Sequence, residues 1–347
     1  MRLISNCLLT LWMVGGALAA PGSRLGPLPA GRFALSAAPA AAEGYPMEVE
    51  DGRFLSGEGP GFPIAPGHLE GEWGRSAIGW GVGDPVQPVP DRFWVRWYSY
   101  PEDKFYEGHF PLPQQRLAAL LHQGYWNTKE QKQQTYDELT LCLLPKGVVV
   151  LWLTGGNQVL IGRYEGREIN FDFKRFNEAA NRPRMVAQEQ AKMPLAVQQE
   201  IKTHTLSPRR WDAYLKTYSW QLAFSQDINL INHDIGYLSG EDTNYPPTAD
   251  LLPYVQYILT PDARAVPKSM LLVVDAGYGR QRKIRVDAFD ETEIMAAYQA
   301  LHAAQPNAPL TLLVETDERV TQARFLVKND QQQVALEKVK LAVYDAN

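Results

Sequence analysis

At 347 residues with 45% hydrophobic side chains, the chain is long enough for two domains and can bury a core without covalent staples. Its formal net charge of −5 argues against nucleic acid as a partner, because phosphate binding needs a basic face. Only Cys7 and Cys142 are present, so a disulfide framework is excluded once the N-terminus is processed.

In chain order, Arg2, the apolar run Leu8 to Val14 and Ala17-Leu18-Ala19 read as a secretory signal over residues 1–19, cut before Ala20. The predicted location is the periplasm, with an uncleaved membrane anchor as the alternative; such an anchor would also place the protein near a membrane. Cys7 precedes the apolar run and lacks the context of an acylated cysteine. Residues 20–44, rich in Ala, Pro and Gly, are expected to form a flexible tether.

Residues 45–175 are read as a first α+β repeat. Its strands are expected near Tyr45 to Phe54, Phe93 to Tyr98, Lys104 to Phe110, Glu138 to Leu144, Val148 to Leu153 and Val159 to Tyr164, with an edge strand at Ile169 to Phe173. A helix should start at Pro113. The polar stretch Trp126 to Gln134 reads as an insertion. Residues 176–219 are expected to be a helical linker, with Ser207-Pro208 opening a helix to about Tyr218.

Residues 220–347 are read as a second repeat, with strands at Leu222 to Phe224, Leu230 to Tyr237, Ser269 to Ala276 and Arg282 to Val286. A helix capped by Asp290 and Glu293 follows, then a meander of Leu310 to Glu315, Gln322 to Lys328 and Val334 to Val343. The repeat rests on recurring markers. Val89-Pro90 and Val266-Pro267 stand 177 residues apart, Leu139-Thr140-Leu141 and Leu310-Thr311-Leu312 stand 171 apart, and Leu55-Ser56-Gly57-Glu58 recurs 183 residues on as Leu238-Ser239-Gly240-Glu241. Such drifts fit loop insertions, which are cheap. The expected fold is therefore α+β: two similar halves from an internal duplication, each an antiparallel sheet with one packed helix, joined by a helical linker.

No catalytic layout is evident. The chain has no G-x-S-x-G elbow, P-loop or H-E-x-x-H, and its histidines are not paired at ligand spacing. Cys142, in an apolar strand, reads as a buried small hydrophobe. The expectation is a non-enzymatic binding protein with no catalytic residues, metal or cofactor. Loops on rigid scaffolds carry recognition, and Trp and Arg are enriched at binding hot spots. Trp73, Arg75 and Trp80 in the Gly-rich loop Glu58 to Val89, and Tyr245 in the loop Glu241 to Val266, are the candidate protein-binding residues, and the two loops are expected to line one groove.

At Gly79-Trp80-Gly81, Val95-Arg96-Trp97, Phe105-Tyr106 and Val150-Leu151-Trp152-Leu153 the chain resembles a proteobacterial family of lipoprotein-like envelope proteins known only as domain of unknown function 2931. The resemblance is clearest from Gly71 to Phe173 and continues through Ser207-Pro208-Arg209-Arg210-Trp211 into the second half. It implies a Gram-negative envelope protein. By analogy of context it implies an immunity protein whose partner is a secreted, lipase-type toxic effector of type VI secretion. The alternatives are a periplasmic hydrolase with a site assembled from scattered residues, or a structural envelope protein. The missing lipoprotein cysteine departs from the family pattern.

Overall fold

The computed structural model describes residues 31–346 apart from 58, 77–85 and 278. Among the described residues, before helix Gln114–Gln123 the chain forms β1 (Arg32–Ala34), β2 (Ser36–Ala41), β3 (Met47–Ser56), β4 (Gly59–Pro63), β5 (Gly67–Leu69), β6 (Val86–Pro88), β7 (Arg92–Ser99) and β8 (Lys104–Pro111). After it come β9 (Tyr125–Asn127), β10 (Lys132–Gln134), β11 (Glu138–Leu143), β12 (Val148–Thr154), β13 (Gln158–Glu165) and β14 (Arg167–Ile169). Helices Phe173–Phe176, Arg182–Lys192, Leu195–Thr203 and Arg209–Tyr214 lead to β15 (Thr217–Phe224), β16 (Asn229–Tyr237) and β17 (Asp242–Thr243). Helix Leu251–Ile258, β18 (Asp262–Ala265), β19 (Pro267–Asp275) and β20 (Gln281–Ala288) precede helix Glu291–Ala304. β21 (Leu310–Thr316), β22 (Ala323–Lys328), β23 (Gln333–Leu336) and β24 (Lys340–Asp345) close the chain.

The result is a mixed α+β fold with mostly antiparallel sheets. A nine-stranded sheet runs β2-β11-β12-β13-β17-β16-β19-β20-β24, a six-stranded sheet contains β14-β8-β7-β3-β4 with β5 on β3, and a five-stranded sheet runs β18-β15-β21-β22-β23. Two pairings are parallel, β2 with β11 and β15 with β21. The order β2-β11-β12-β13 beside β3-β7-β8-β14 has the same form as β15-β21-β22-β23 beside β16-β19-β20-β24.

Local sequence explains the principal elements. β12, Val-Val-Val-Leu-Trp-Leu-Thr, is apolar on both faces and buried along nearly all its length, as suits a strand covered on both sides. β19 alternates buried and half-buried residues from Met270 to Asp275, so one face meets the core and one the solvent. Helix Glu291–Ala304 starts where the Asp290 carboxylate accepts the Glu293 N–H at 2.9 Å. The reciprocal half of the expected capping box is not made: the Glu293 carboxylate accepts the backbone N–H groups of Glu337 and Lys338 instead.

Several expectations are corrected. Of the expected tether, Arg32–Ala34 and Ser36–Ala41 are strands, and Ala37, Ala38, Ala40 and Ala41 are fully or almost fully buried. Small residues let β2 lie close against β11, with which it pairs, and against β3, β4 and β5, which supply the apolar bulk that the segment lacks. Each half does not form one antiparallel sheet. The strands of the first group divide among the nine-stranded sheet, the six-stranded sheet and two two-stranded pairs, β1–β6 and β9–β10, and those of the second between the five-stranded and nine-stranded sheets; each group contributes one parallel pair, and both share the nine-stranded sheet. The stretch read as an insertion holds the β9–β10 hairpin. The helix begun near Ser207 stops at Tyr214, because β15 starts at Thr217. The loop Glu241 to Val266 contains a helix capped by Asp250, whose carboxylate accepts the Leu252 N–H at 3.0 Å. The expected last strand is two, β23 and β24, in different sheets.

Candidate functional site: a groove at the joint of the two strand groups

The nine-stranded sheet crosses from the first group to the second through a narrow ladder. β13 pairs with β17 at Gln158↔Asp242, and β17 pairs with β16 at two positions. Side chains supply the remaining cohesion. Gln158 Nε2 donates to the carbonyls of Gly74, at 2.7 Å, and Gly240. The buried Trp152 donates its indole N–H to Ser239 O at 3.1 Å. Asn157 Oδ1 accepts the N–H groups of Asn244 and Tyr245, both at 2.8 Å, while its Nδ2 donates to Tyr245 O at 2.9 Å. Glu241 turns back, accepting from Leu160 N at 3.1 Å and from Ser239 Oγ at 3.0 Å.

The recurring tetrapeptide Leu238-Ser239-Gly240-Glu241 is thus the tight turn that fits this joint. Gly240 has φ +84°, a left-handed conformation that L side chains rarely adopt, and a Cβ there would lie 3.2 Å from the Trp152 ring. Of its earlier counterpart, Gly57 N–H donates to Asp91 Oδ2 at 2.9 Å, so that turn serves the six-stranded sheet.

The candidate binding residues meet different fates. Trp73 is half-buried. Its indole N–H donates to Leu238 O at 2.7 Å and its ring meets Trp152 edge-on, with centroids 4.8 Å apart. Tyr245 is half-buried as well, stacked on Tyr125 with centroids 5.6 Å apart. Both rings are engaged within the chain's own fold. Arg75 is exposed, and its Nη2 stands 3.1 Å from Asp242 Oδ2. Trp80 lies outside the described residues.

Arg75 and Asp242 bring the two candidate loops to one groove of about 330 Å³ on the solvent face of β16, β19 and β20. Its polar lining includes Arg75, Asp234, Asp242, Asn244, Ser269 and Arg285. Gly236 makes the floor: a Cβ there would sit 2.8 Å from Asp242 Oδ1 and 2.9 Å from Ser269 Oγ. Two ion pairs border the groove, Arg75 with Asp242 and Arg285 with Asp287 at 2.7 Å. Burial pushes the Asp234 carboxyl up to about 6, opposed by the charge of Lys129 from the β9–β10 hairpin. Burial also raises Asp242, against the nearby charges of Arg75 and Lys268. The groove can therefore offer donors, acceptors and charges of both signs to a bound surface.

Asp234, Asp242, Asn157 and Gln158 were not legible as site residues, because they meet only through long-range pairing. The tetrapeptide repeat was the one sequence signal beside them. Cys142 is fully buried, and burial pushes its thiol up to about 12, which removes it as a nucleophile at neutral pH. Among the described residues no helix is long and apolar enough to cross a membrane.

Fold and site together define an α+β protein with a polar groove where two groups of strands are joined. Residues 31–207, just over half the chain, match the model of a family described as Protein of unknown function (DUF2931), and the chain belongs to that family. The match ends at residue 207, short of the second strand group, where the expected resemblance continued. No curated protein and no solved structure matches the chain.

Proposed function

We propose that this is an exported periplasmic protein of the Gram-negative envelope that binds another protein and does no chemistry of its own. The proposed partner is a secreted lipase-type effector of type VI secretion, which makes the chain an immunity protein. The observation that supports binding is the convergence of Arg75, from the first long loop, with Asp242 and Asn244, from the second, on one groove. Exposed arginines next to half-buried carboxylates on a rigid sheet suit recognition of a folded partner, where such charges fix register and association rate. We also infer that the two strand groups descend from a duplication, which the recurring markers and the matching orders of pairing support.

The test co-expresses the chain with a lipase-type effector of type VI secretion, sought first among the neighbouring genes, and measures protection and affinity. Protection by the wild type and loss of capture in Arg75→Glu/Arg285→Glu, at unchanged melting temperature, is the expected result. Failure of the wild type to bind that effector removes the immunity reading, and full capture by the double variant removes the groove. Periplasmic fractionation with N-terminal sequencing should give a mature chain starting at Ala20. A hydrolase is the second reading, favoured by Asp234, which titrates near 6 beside Asp242 and so suits general acid work. Ester hydrolysis that disappears in Asp234→Asn would establish it.

A further inference from the structure

Where β5 meets helix Arg182–Lys192, three potential metal ligands from two distant segments come together. Leu69 is buried, so the extended chain turns its neighbours His68 and Glu70 to one outward face. His68 Nε2 stands 3.3 Å from Glu70 Oε1. Glu189 arrives from helix Arg182–Lys192, and one ligand atom of each of the three side chains lies within 4.8 Å of the others. We propose that His68, Glu70 and Glu189 form a binding site for a divalent transition cation of the zinc type.

Three features set this group apart from an ordinary acidic surface. The first is its chemistry: an imidazole nitrogen with two carboxylate oxygens is the donor set of borderline cations such as Zn²⁺, and not of calcium or magnesium, which take oxygen alone. The second is spacing. Tetrahedral zinc with ligands at about 2.0–2.2 Å sets donor atoms roughly 3.3–3.5 Å apart, and the His68–Glu70 pair already has that separation. A Glu189 carboxylate oxygen lies within 4.8 Å of both and has only the remaining gap to close.

The third feature is that the backbone beneath the ligands is fixed. β5 pairs with β3, placing His68 opposite Glu48. The Tyr100 ring meets the His68 ring edge-on at 5.2 Å, and Tyr100 donates its hydroxyl to Glu48. Gln190, beside Glu189, donates to the carbonyls of Tyr100 at 3.1 Å and Pro101 at 3.3 Å, tying the helix to the same strand end. Pro194 abuts Gly44, where φ is +81° and a Cβ would come within 2.9 Å of the proline ring. Ligands on a framework held in this way lose little freedom on binding.

A cleft of about 450 Å³ adjoins the group, lined by Glu43, Glu70, Glu72 and Glu189, with Lys192 as the one cation among the described residues that line it. It gives a cation entry and room for the waters that complete the coordination shell. Its acidic lining raises the local cation concentration. Lys192 Nζ holds Glu189 Oε1 at 2.7 Å but is 67% exposed and on a flexible stem, so a metal can displace it. A bound ion would join β5 to the helix through side chains alone.

The test is calorimetric titration of the chelator-treated full chain with zinc chloride in a non-coordinating buffer, alongside thermal melting. One equivalent should bind and raise the melting temperature. His68→Ala and Glu189→Gln should each weaken binding at least about tenfold and abolish the thermal shift, while Lys192→Ala should bind as tightly or more tightly. The variants are made at half-buried or exposed positions, and metal-free melting establishes that each is folded. Absence of wild-type binding below about 1 mM zinc overturns the proposal, as does equal binding by His68→Ala and Glu189→Gln, which would place the ion elsewhere.

Discussion

Replacing Trp73 by Ala separates a partner anchor from a clasp within the fold. The indole N–H to Leu238 O bond, at 2.7 Å, is worth about 1 kcal/mol net. The edge-on contact with Trp152 adds about 0.5–1.5 kcal/mol. Truncating a fully buried Trp costs about 3–5 kcal/mol, and half-burial roughly halves that. These effects overlap, so Trp73→Ala should lose about 2–4 kcal/mol in urea denaturation at unchanged slope. In a unit of about 150–250 residues each kcal/mol moves the melting temperature by roughly 2–4 °C, which makes the change easy to detect. Trp73→Phe retains the ring contact but leaves Leu238 O without its donor, and should lose about 1–2 kcal/mol. The reasoning is refuted if Trp73→Ala melts with the wild type while partner capture falls, since the indole would then be an anchor after all.

Gly240→Ala should cost about 1–3 kcal/mol, measured by denaturation, because φ +84° is strained for any L side chain and the new methyl would press on Trp152. Cys142 should resist iodoacetamide at pH 8 in the folded chain and react promptly once urea unfolds it, as mass spectrometry can follow; prompt labelling of the native form would contradict its burial. Acid should reveal two opposed titrations on β16. Burial lowers His233 to about 4 from an unfolded value near 6.5, so its contribution is complete above pH 6.5 and about 3 kcal/mol of it is lost as pH falls to 4. Asp234 is raised to about 6, so its contribution is complete below the unfolded value near 3.8 and is lost as pH rises through 6. Stability measured from pH 7 to 4 should therefore fall more steeply in Asp234→Asn than in the wild type, and less steeply in His233→Gln; parallel curves would discard both assignments.

What the sequence revealed and what it hid differ in range. β7, β8, β11, β12, β16 and β19 were visible because apolar runs and alternation are local, and Asp290 announced its helix through a local cap. Partners were not visible. Alternation says that a strand has a buried face but not which strand lies beside it. A single sheet per half was therefore the natural expectation, and division of each half among several sheets was hidden. Ser36–Ala41 was hidden for the converse reason: its alanines carry too little apolar bulk to signal burial, and its place depends on bulk contributed by β11 and by β3, β4 and β5. Arg75 was nominated by a loop tendency that the structure places at the groove. The same tendency nominated Trp73, whose polar atom had a carbonyl waiting 165 residues away.

The joint also bears on where the physical unit ends. The family match covers the first strand group and the three helices through Leu195–Thr203, and stops at residue 207. Yet Trp73, Trp152, Asn157 and Gln158, all inside the match, donate to carbonyls of Leu238, Ser239, Gly240 and Tyr245, all beyond it. Without those acceptors four polar side chains of the first group lose partners, and for the fully buried Trp152 the donor would have to find water or remain unsatisfied. An unmet buried donor costs about 1–3 kcal/mol, a large share of the roughly 5–15 kcal/mol that holds a domain folded. β13 would at the same time become an open edge where it now meets β17, and an uncovered edge invites pairing with other chains. A chain ending at residue 207 should therefore be less stable and more prone to associate than its own core implies. The second strand group serves as the acceptor surface that completes the first, and the groove lies where that completion takes place.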